Sequence, residues 1–317
     1  MQKTSDIVIV NWNSGIQLKD CVESVMKSSF DNSILNKIIV VDNDSKDDSI
    51  ELAEKLNFKK LEIIKNKDNL GFGKACNIGA KDSLSDFILF LNPDAMVYED
   101  TFKKLFDSIE QNNVADIAVF GVQLIGDDGK VQRTCARFPS LWNFFVKVFG
   151  LNKFNLKYFK TYHMEDWNHN EIKQVDHVIG AFYVIKRELF NNIQGFDERY
   201  FVYFEDLDLS KKVHNQGHKI VYLSDVKAYH KGGGTSEQVK ALRFFYSTRS
   251  SLIYSFKHLG ILKSIIFMFF VYFVEPLTRT VFLLLKRSSL NEYIQQYKGF
   301  WLLYKDTFNI IKLGLKK

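Results

Sequence analysis

Four short apolar runs, each closed by a polar turn, occupy the first third of the chain: residues 7–10, 38–41, 61–64 and 87–91. The fourth, FILFL, is apolar at every position and stops at Asn92-Pro93-Asp94. Unbroken runs of this length read as strands buried on both faces of a parallel sheet. Pro93 has no N–H for a sheet ladder, so the strand must end there. Between the runs the apolar period lengthens to three and four. Leu18, Cys21, Val22, Val25 and Met26 share one helical face. Ser45 and Asp48 have the spacing of an N-terminal capping box, predicting a helix that reaches about Leu56. Further helices are predicted through Ala75, Ile78 and Gly79, and over 101–110. Strands alternating with helices mean βαβ units, whose right-handed crossovers place all four strand ends on one rim. In open α/β sheets that rim binds ligands.

After Asn113 the pattern changes. Residues 117–124 and 130–137 read as two strands of a hairpin joined by Gly126-Asp127-Asp128-Gly129. Residues 141–170 are rich in aromatics, Lys and Asn without a clean period, and read as an irregular insertion or lid. A strand-like stretch over 175–185 surrounds Gly180-Ala181, and a short helix follows over 187–192. A helix over 207–215 should stop at Gly217. Residues 220–223 and 226–229 read as two short strands, the second ending at His230. A flexible loop is expected at Gly232-Gly233-Gly234, then an aromatic, basic helix over 243–258. Two domains are expected: 1–240 as the α/β unit and 241–317 as a helical region.

Charge sharpens the reading of that last region. The chain has 317 residues and a net charge of +6. Residues 257–317 hold ten Lys and Arg against three Asp and Glu, a balance of +7, so everything before them sums to −1. The same region carries the longest apolar runs, which suggests a membrane surface and no nucleic-acid partner. Joining 264–274 to 276–285 into one span would put Glu275 and Arg279 near mid-bilayer. A charge there costs roughly 2.5–3.5 kcal/mol, so helices lying in the membrane interface are expected. The start, MQKTSDIVIVNW, has no long apolar stretch after Lys3, so no signal peptide is expected. Three scattered cysteines without CxxC spacing argue against a disulfide framework and a zinc site, and fit a reducing compartment.

The chemistry-bearing residues gather at the strand ends: Asn11 and Asn13, Asp42 and Asp44, Asn69 with Gly71 and Gly73, Asn92 and Asp94. Later come Glu205, Asp206 and His230. Any one of them has an ordinary structural role open to it. Asp favours turns, acids favour helix N-termini, and a lone His is usually a core or surface residue. Together, carboxylates plus one imidazole suit a divalent cation such as Mg²⁺ or Mn²⁺. The Gly71–Gly73 loop lacks the third glycine of a dinucleotide fingerprint and follows the third strand, not the first. His163, His169 and His177 have no regular ligand spacing and read as loop residues.

The order of these motifs resembles the family 2 glycosyltransferases, and within them the rhamnosyltransferase-like members that act on cell-surface polysaccharides. The resemblance spans about residues 6–258. It rests on the opening strand through Asn11-Trp12-Asn13, on Val41-Asp42-Asn43-Asp44-Ser45, and on Asn69-Leu70-Gly71-Phe72-Gly73-Lys74-Ala75-Cys76-Asn77. It continues through Asn92-Pro93-Asp94, Gly195-Phe196-Asp197-Glu198, Phe204-Glu205-Asp206 and His230. It implies a GT-A fold, a mostly parallel Rossmann-like sheet flanked by helices, with a C-terminal membrane-associating helical region. It further implies a nucleotide-diphosphate sugar donor held by Asn11, Asn13, Asp42, Asn69, Gly71, Asn92 and Asp94. A divalent cation would sit on Asp94 and His230, Asp206 would be the general base, and Glu205 would orient the acceptor or a neighbouring group. Asn92 stands where most of the family has the first Asp of Asp-x-Asp. A neutral amide is a weaker ligand for a hard cation, and the Asn-Pro-Asp form is common in the rhamnosyltransferase-like subgroup.

The implied activity is inverting transfer of a sugar to a lipid-linked or polysaccharide acceptor at the cytoplasmic membrane face, with dTDP-rhamnose the first donor to test. Three other readings are weighed. A nucleotidyltransferase needs a Gly-rich phosphate loop after the first strand, and Asn11-Trp12-Asn13-Ser14-Gly15 is not one. A non-catalytic nucleotide-sugar-binding or partner subunit is compatible with Asn92. A glycosidase needs two carboxyl groups about 5 Å or more apart flanking one bond, which adjacent Glu205 and Asp206 do not supply. Linkage and oligomeric state are not encoded in these motifs.

Overall fold

The structure is a computed structural model describing residues 3–29, 35–111, 116–154, 158–232 and 240–316. The first half alternates as the apolar pattern requires. β1 (Ser5–Asn11), α1 (Ile16–Lys27), β2 (Leu35–Asp42), α2 (Ser49–Glu54), β3 (Leu61–Lys65), α3 (Phe72–Ala80) and β4 (Phe87–Leu91) follow in turn. Next come β5 (Ala95–Val97), α4 (Thr101–Gln111), β6 (Ile117–Ile125), β7 (Cys135–Ala136), α5 (Leu141–Val148), β8 (Lys173–Val175), β9 (His177–Val178) and β10 (Phe182–Lys186). The chain ends with α6 (Arg187–Asn192), α7 (Glu205–Asn215), β11 (Lys219–His230), α8 (Lys240–His258), α9 (Ile261–Phe269), a π-helical turn (Phe270–Val274), α10 (Glu275–Leu285) and α11 (Leu290–Leu315).

Nine strands form one mixed sheet in the order β3-β2-β1-β4-β10-β6-β11-β5, with β8 on β11. β1 pairs in parallel with β2 and β4, and β2 with β3, so the four apolar runs do end on one rim. The chain winds outward from β1 to β3 and then returns to the other side of β1 for β4. That reversal opens a crevice at the carboxyl ends of β1 and β4, where such sheets bind ligands. β1 is buried at all seven positions and β4 at all five. On one face Ile7, Ile9 and Leu89 join Leu18 and Val22 of α1 and Phe102 and Leu105 of α4 in the main core. On the other face Gly79 of α3 sits against Val8 and Val41. Each fully buried Val, Leu, Ile or Phe contributes roughly 1.5–3 kcal/mol.

Several local expectations are corrected. Ser45 does not cap α2. Its hydroxyl instead accepts from Asn11 and Asn13, and the helix starts at Ser49. The expected hairpin shrinks to one bridge between Ile125 and Val131. β6 is a central strand, antiparallel to β10 and parallel to β11, and Cys135–Ala136 pairs with β9. The two short strands over 220–229 are one strand, β11, with a bulge between Leu223 and Lys227. The stretch read as irregular contains α5, capped by a reciprocal pair of hydrogen bonds between Ser140 and Asn143. Gly233 and Gly234 lie outside the described residues.

The chain divides into two compact units. One comprises Met1–Ala136, Asp166–Glu198 and Glu205–Thr235, and the other Arg137–Glu165, Arg199–Phe204 and Ser236–Lys317. The first holds the sheet and Asn11, Asp42, Asn92, Asp94, His177, Gly180, Glu205, Asp206 and His230.

Candidate active site

The end of β1 meets the end of β2 in register, Asn11 opposite Asp42. The Asn11 amide nitrogen lies 2.8 Å from Asp42 Oδ1, 3.0 Å from Ser45 Oγ and 2.9 Å from Ser49 Oγ. The Ser14 hydroxyl donates to Asn11 Oδ1, and Asp42 Oδ2 accepts from the Ser45 N–H at 3.2 Å. Asn13 has a φ of 50° and Asp44 one of 62°, left-handed values that Asn and Asp tolerate better than most residues. The Lys46 N–H reaches Asn13 Oδ1 at 2.7 Å. The buried polar groups of this corner therefore satisfy one another.

Asn43 links the corner to the next loop, donating to the Gly71 carbonyl at 3.1 Å. Asn69 Oδ1 accepts from the Gly71 N–H at 3.0 Å, and Gly71 has a φ of 85° as it opens α3. One turn into α3, a Cβ on Gly73 would lie 3.1 Å from Phe196 and 3.4 Å from Glu205. Asn77 then ties α3 to the Gly195-Phe196-Asp197-Glu198 turn, donating to the Phe196 carbonyl at 3.0 Å and accepting from the Phe196 N–H at 2.8 Å.

Tyr203 and Phe204 both have a φ of 68° immediately before α7, a conformation that costs bulky residues roughly 1–3 kcal/mol each. Glu205 and Asp206 then open the helix with different environments. Glu205 is 5% exposed, and its Oε2 has no hydrogen-bond partner. Burial, and secondarily the Asp206 charge, push its carboxyl well above the usual carboxylate range, which favours the neutral acid. The Asp206 side chain is 20% exposed. Its Oδ2 accepts the Gly180 N–H at 2.8 Å and its Oδ1 the Leu207 N–H at 2.8 Å. Gly180 eases that approach, since a Cβ there would lie 3.2 Å from Asp206 Oδ2 and press on its carboxylate.

His177, read from sequence as a loop residue, stands with its Nε2 3.7 Å from Asp206 Oδ2. Its Nδ1 is 2.9 Å from Ser210 Oγ, which is 3.2 Å from Tyr183 Oη. Burial lowers the His177 pKa against the opposing pull of Asp206 and Asp176, which favours a neutral imidazole. No local spacing marks His177; only the pairing of β9 with β7 and the packing of α7 bring it to Asp206.

β10 runs antiparallel beside β4, and the Asn92 N–H donates to the Ala181 carbonyl at 3.0 Å. Asp206, held by Gly180, is thereby next to the end of β4. Beyond it, β5 pairs with the end of β11, Ala95 opposite His230. His230 Nε2 comes to 3.4 Å from Asp94 Oδ1, and both side chains are nearly closed off from solvent. Gln132 donates its amide N–H to the His230 carbonyl at 2.8 Å, so its Oε1 accepts from Nδ1–H at 2.9 Å. That contact leaves Nε2 facing Asp94, the nitrogen that a metal-ligating imidazole would offer. Among the described residues no three His, Cys, Asp or Glu converge as a metal cluster. Asp94 and His230 offer one oxygen and one nitrogen, a donor set that fits a divalent cation taking its other ligands from a diphosphate. A hollow of about 420 Å³ among Asn36, Lys37, Lys60 and Asp82, at the opposite ends of the strands, holds no residue of these motifs.

Residues 6–194 match the family model described as glycosyl transferase family 2. The chain belongs to glycosyl transferase family 2. It is a glycosyltransferase with rhamnosyltransferases among its relatives. Rhamnosyltransferase WbbL of Escherichia coli K12 is 26% identical over 227 residues, covering 61% of this chain and 82% of that protein. The N-acetylglucosaminyl-diphospho-decaprenol L-rhamnosyltransferase of Mycobacterium tuberculosis is 26% identical over 205 residues, covering 61% of this chain and 66% of that one. In structure, mannosyltransferase PcManGT from Pyrobaculum calidifontis, solved with GDP-Man and Mn²⁺, aligns with a TM-score of 0.54 at 14% identity over 99% of this chain and 84% of that chain. The glycosyltransferase spans 40% of the S. aureus TarS chain, which it matches with a TM-score of 0.55 at 18% identity. These likenesses establish the GT-A fold.

Proposed function

We propose that this glycosyltransferase moves a sugar, with inversion, from a nucleotide-diphosphate donor to a hydroxyl of a lipid-linked or polysaccharide acceptor in cell-surface glycan synthesis. L-Rhamnose from dTDP-rhamnose is the first candidate, supported by the names of its relatives. The observation that carries the reading is the Asp206 carboxylate, solvent-reaching and fixed by two main-chain N–H groups beside the end of β4. In the mechanism, Asp206 takes the proton of the acceptor hydroxyl as that oxygen attacks the anomeric carbon and the bond to the diphosphate breaks. A placed base of this kind contributes about 10²–10⁴ in rate. Burial favours the neutral acid at Glu205, which lessens the negative charge beside it, and the Gly180 and Leu207 N–H groups hold the orientation of Asp206. Asn11, Asn13, Asp42, Asn69 and Gly71 frame the nucleotide side, and Asn92 and Asp94 the diphosphate side. Asp94 and His230 would hold a divalent cation, which when bound neutralises the departing diphosphate.

The region after residue 240 supports attachment to the cytoplasmic face of the cell membrane, peripheral or monotopic. It carries the basic excess and the apolar segment Ile261–Leu285, long and apolar enough to cross a bilayer. A donor panel with nucleotide-diphosphate release as readout, run with and without Mg²⁺ or Mn²⁺, tests the activity. Metal-dependent release from dTDP-rhamnose and a product of inverted anomeric configuration are expected. No release from any donor would favour a non-catalytic binding subunit.

A further inference from the structure

Helices of water-soluble proteins turn apolar residues inward and polar ones outward. The segment from α9 to α10 instead carries apolar residues on both sides. Its outward positions are Leu262, Phe269, Phe273, Leu277, Val281 and Leu284, each more than half exposed, while Phe267, Val271 and Tyr272 are buried beside Ser264 and Glu275. Four-residue steps drift around an α-helix of 3.6 residues per turn. The wider π-helical turn at Phe270–Val274 absorbs that drift and keeps the stripe on one side. α11 repeats the outward apolar stripe with Leu290, Ile294, Tyr297, Trp301, Tyr304 and Phe308, spaced four and three. Its inward side carries Gly299, Phe300, Leu303 and Ile310.

The two stripes lie side by side. Thr280 Oγ1 is 2.8 Å from Tyr297 Oη, Tyr304 Oη donates to the Tyr272 carbonyl at 2.6 Å, and the Tyr272 and Tyr304 rings stack 5.0 Å apart. The borders are cationic. Lys298, Lys305 and Lys312 recur every seven residues along α11, with Lys305 Nζ 4.9 Å over the Trp301 ring. Lys286 follows the last residue of α10, and Lys153 Nζ sits 3.3 Å over the Phe282 ring. Two carboxylates of these helices are already bound, Glu275 to Arg279 at 2.8 Å and Asp306 to Arg249 at 2.7 Å.

We propose that this two-helix face beds in plane into a bilayer leaflet containing anionic phospholipid, its rings at the acyl boundary and its lysines at the lipid phosphates. The proposal rests on the membrane reading above and names its surface and lipid class; it does not depend on which sugar is transferred. Aromatic rings between an apolar stripe and a row of lysines have the chemistry of the lipid interface. A span over Ile261–Leu285 would instead carry Glu275 and Arg279 into the bilayer at a cost of roughly 2.5–3.5 kcal/mol for a charge at its centre. A second copy on the same face would set lysine rows against each other.

The test is flotation of the full chain with vesicles of phosphatidylcholine alone or with phosphatidylglycerol added. Binding should strengthen markedly with phosphatidylglycerol. The variant K298E/K305E/K312E should lose roughly a hundredfold of that gain, and free inorganic phosphate should not displace the wild type. Trp301→Ser with Phe308→Ser should weaken binding to both vesicles. Donor turnover on a soluble acceptor should stay unchanged in all of these, so that failure here is separable from failure of the glycosyl-transfer reading. The proposal falls if K298E/K305E/K312E binds like wild type, or if K59E/K81E, in the other unit, loses as much. It falls equally if the face proves to be a dimer contact and vesicle binding is absent.

Discussion

At the residue scale, two adjacent carboxyls divide their labour by environment. Glu205 is closed in, which favours its neutral acid; Asp206 reaches solvent beside the end of β4. Asp206→Asn should lower kcat by about 10²–10⁴, whereas Glu205→Gln, which mimics a neutral acid, should retain turnover within a few-fold. Equal losses in steady-state assays would mean that Glu205 acts as a base. The same environments predict opposite pH trends in stability. Glu205 is raised from 4.5, so the folded state keeps a proton that the unfolded state releases. Its contribution is full below about pH 4.5 and lost as pH rises toward the folded value. Glu205→Gln should therefore gain melting temperature relative to wild type as pH increases. His177 is lowered from 6.5, so its contribution is full above pH 6.5 and lost as pH falls below it. His177→Gln should flatten the acid side of the wild-type melting curve against pH, and should shift the pH profile of kcat if it also positions Asp206. Asp206 was legible in sequence because it follows a recognisable turn. His177 was not, because its meaning comes from Ser210 and Asp206, both about thirty positions away.

At the element scale, glycines set how closely helices and strands approach the site. A Cβ on Gly79 would fall 2.6 Å from Val8 Cγ1 and 2.9 Å from Val41 Cγ2. Gly79→Ala should cost about 1–3 kcal/mol by overpacking α3 against β1 and β2, read as a lower urea midpoint. Gly180→Ala should leave that midpoint nearly unchanged yet cut turnover roughly ten- to a hundredfold, by displacing Asp206 from its N–H donor. The parallel strands were legible because a strand buried on both faces is apolar at every step, a purely local signature. The capping box at Ser45 was misread because that hydroxyl had better partners in Asn11 and Asn13, which arrive from β1. The hairpin after Asn113 was misread because β6 pairs with β10 and β11 instead, and the next strand turns away to β9.

At the scale of the whole molecule, the proposed donor site is a closure of distant segments. Asp94 ends one strand and His230 another; Gln132, between them in sequence, fixes the imidazole of the second. Asp94→Ala and His230→Ala should each weaken Mn²⁺ binding, measured by electron paramagnetic resonance with nucleotide diphosphate present. Gln132→Leu should weaken it by roughly 10–100-fold while leaving the fold's melting temperature close to wild type. Unchanged Mn²⁺ affinity in all three would place the cation elsewhere. The same scale governs the membrane face: its stripes are read only once it is known which side of α10 and α11 packs inward.

Sequence alone determined the alternation of strands and helices, the rim on which their ends lie, the carboxylates at those ends, and the concentration of positive charge after residue 257. Each is a local property of period, turn chemistry or composition. Tertiary structure alone decided that His230 meets Asp94, that His177 stands against Asp206, that Glu205 is shut away, and that two helices leave an apolar stripe facing outward. Those outcomes follow from long-range pairing and burial, which no window of sequence contains: the same side chain is base, spacer or anchor according to what the fold packs beside it.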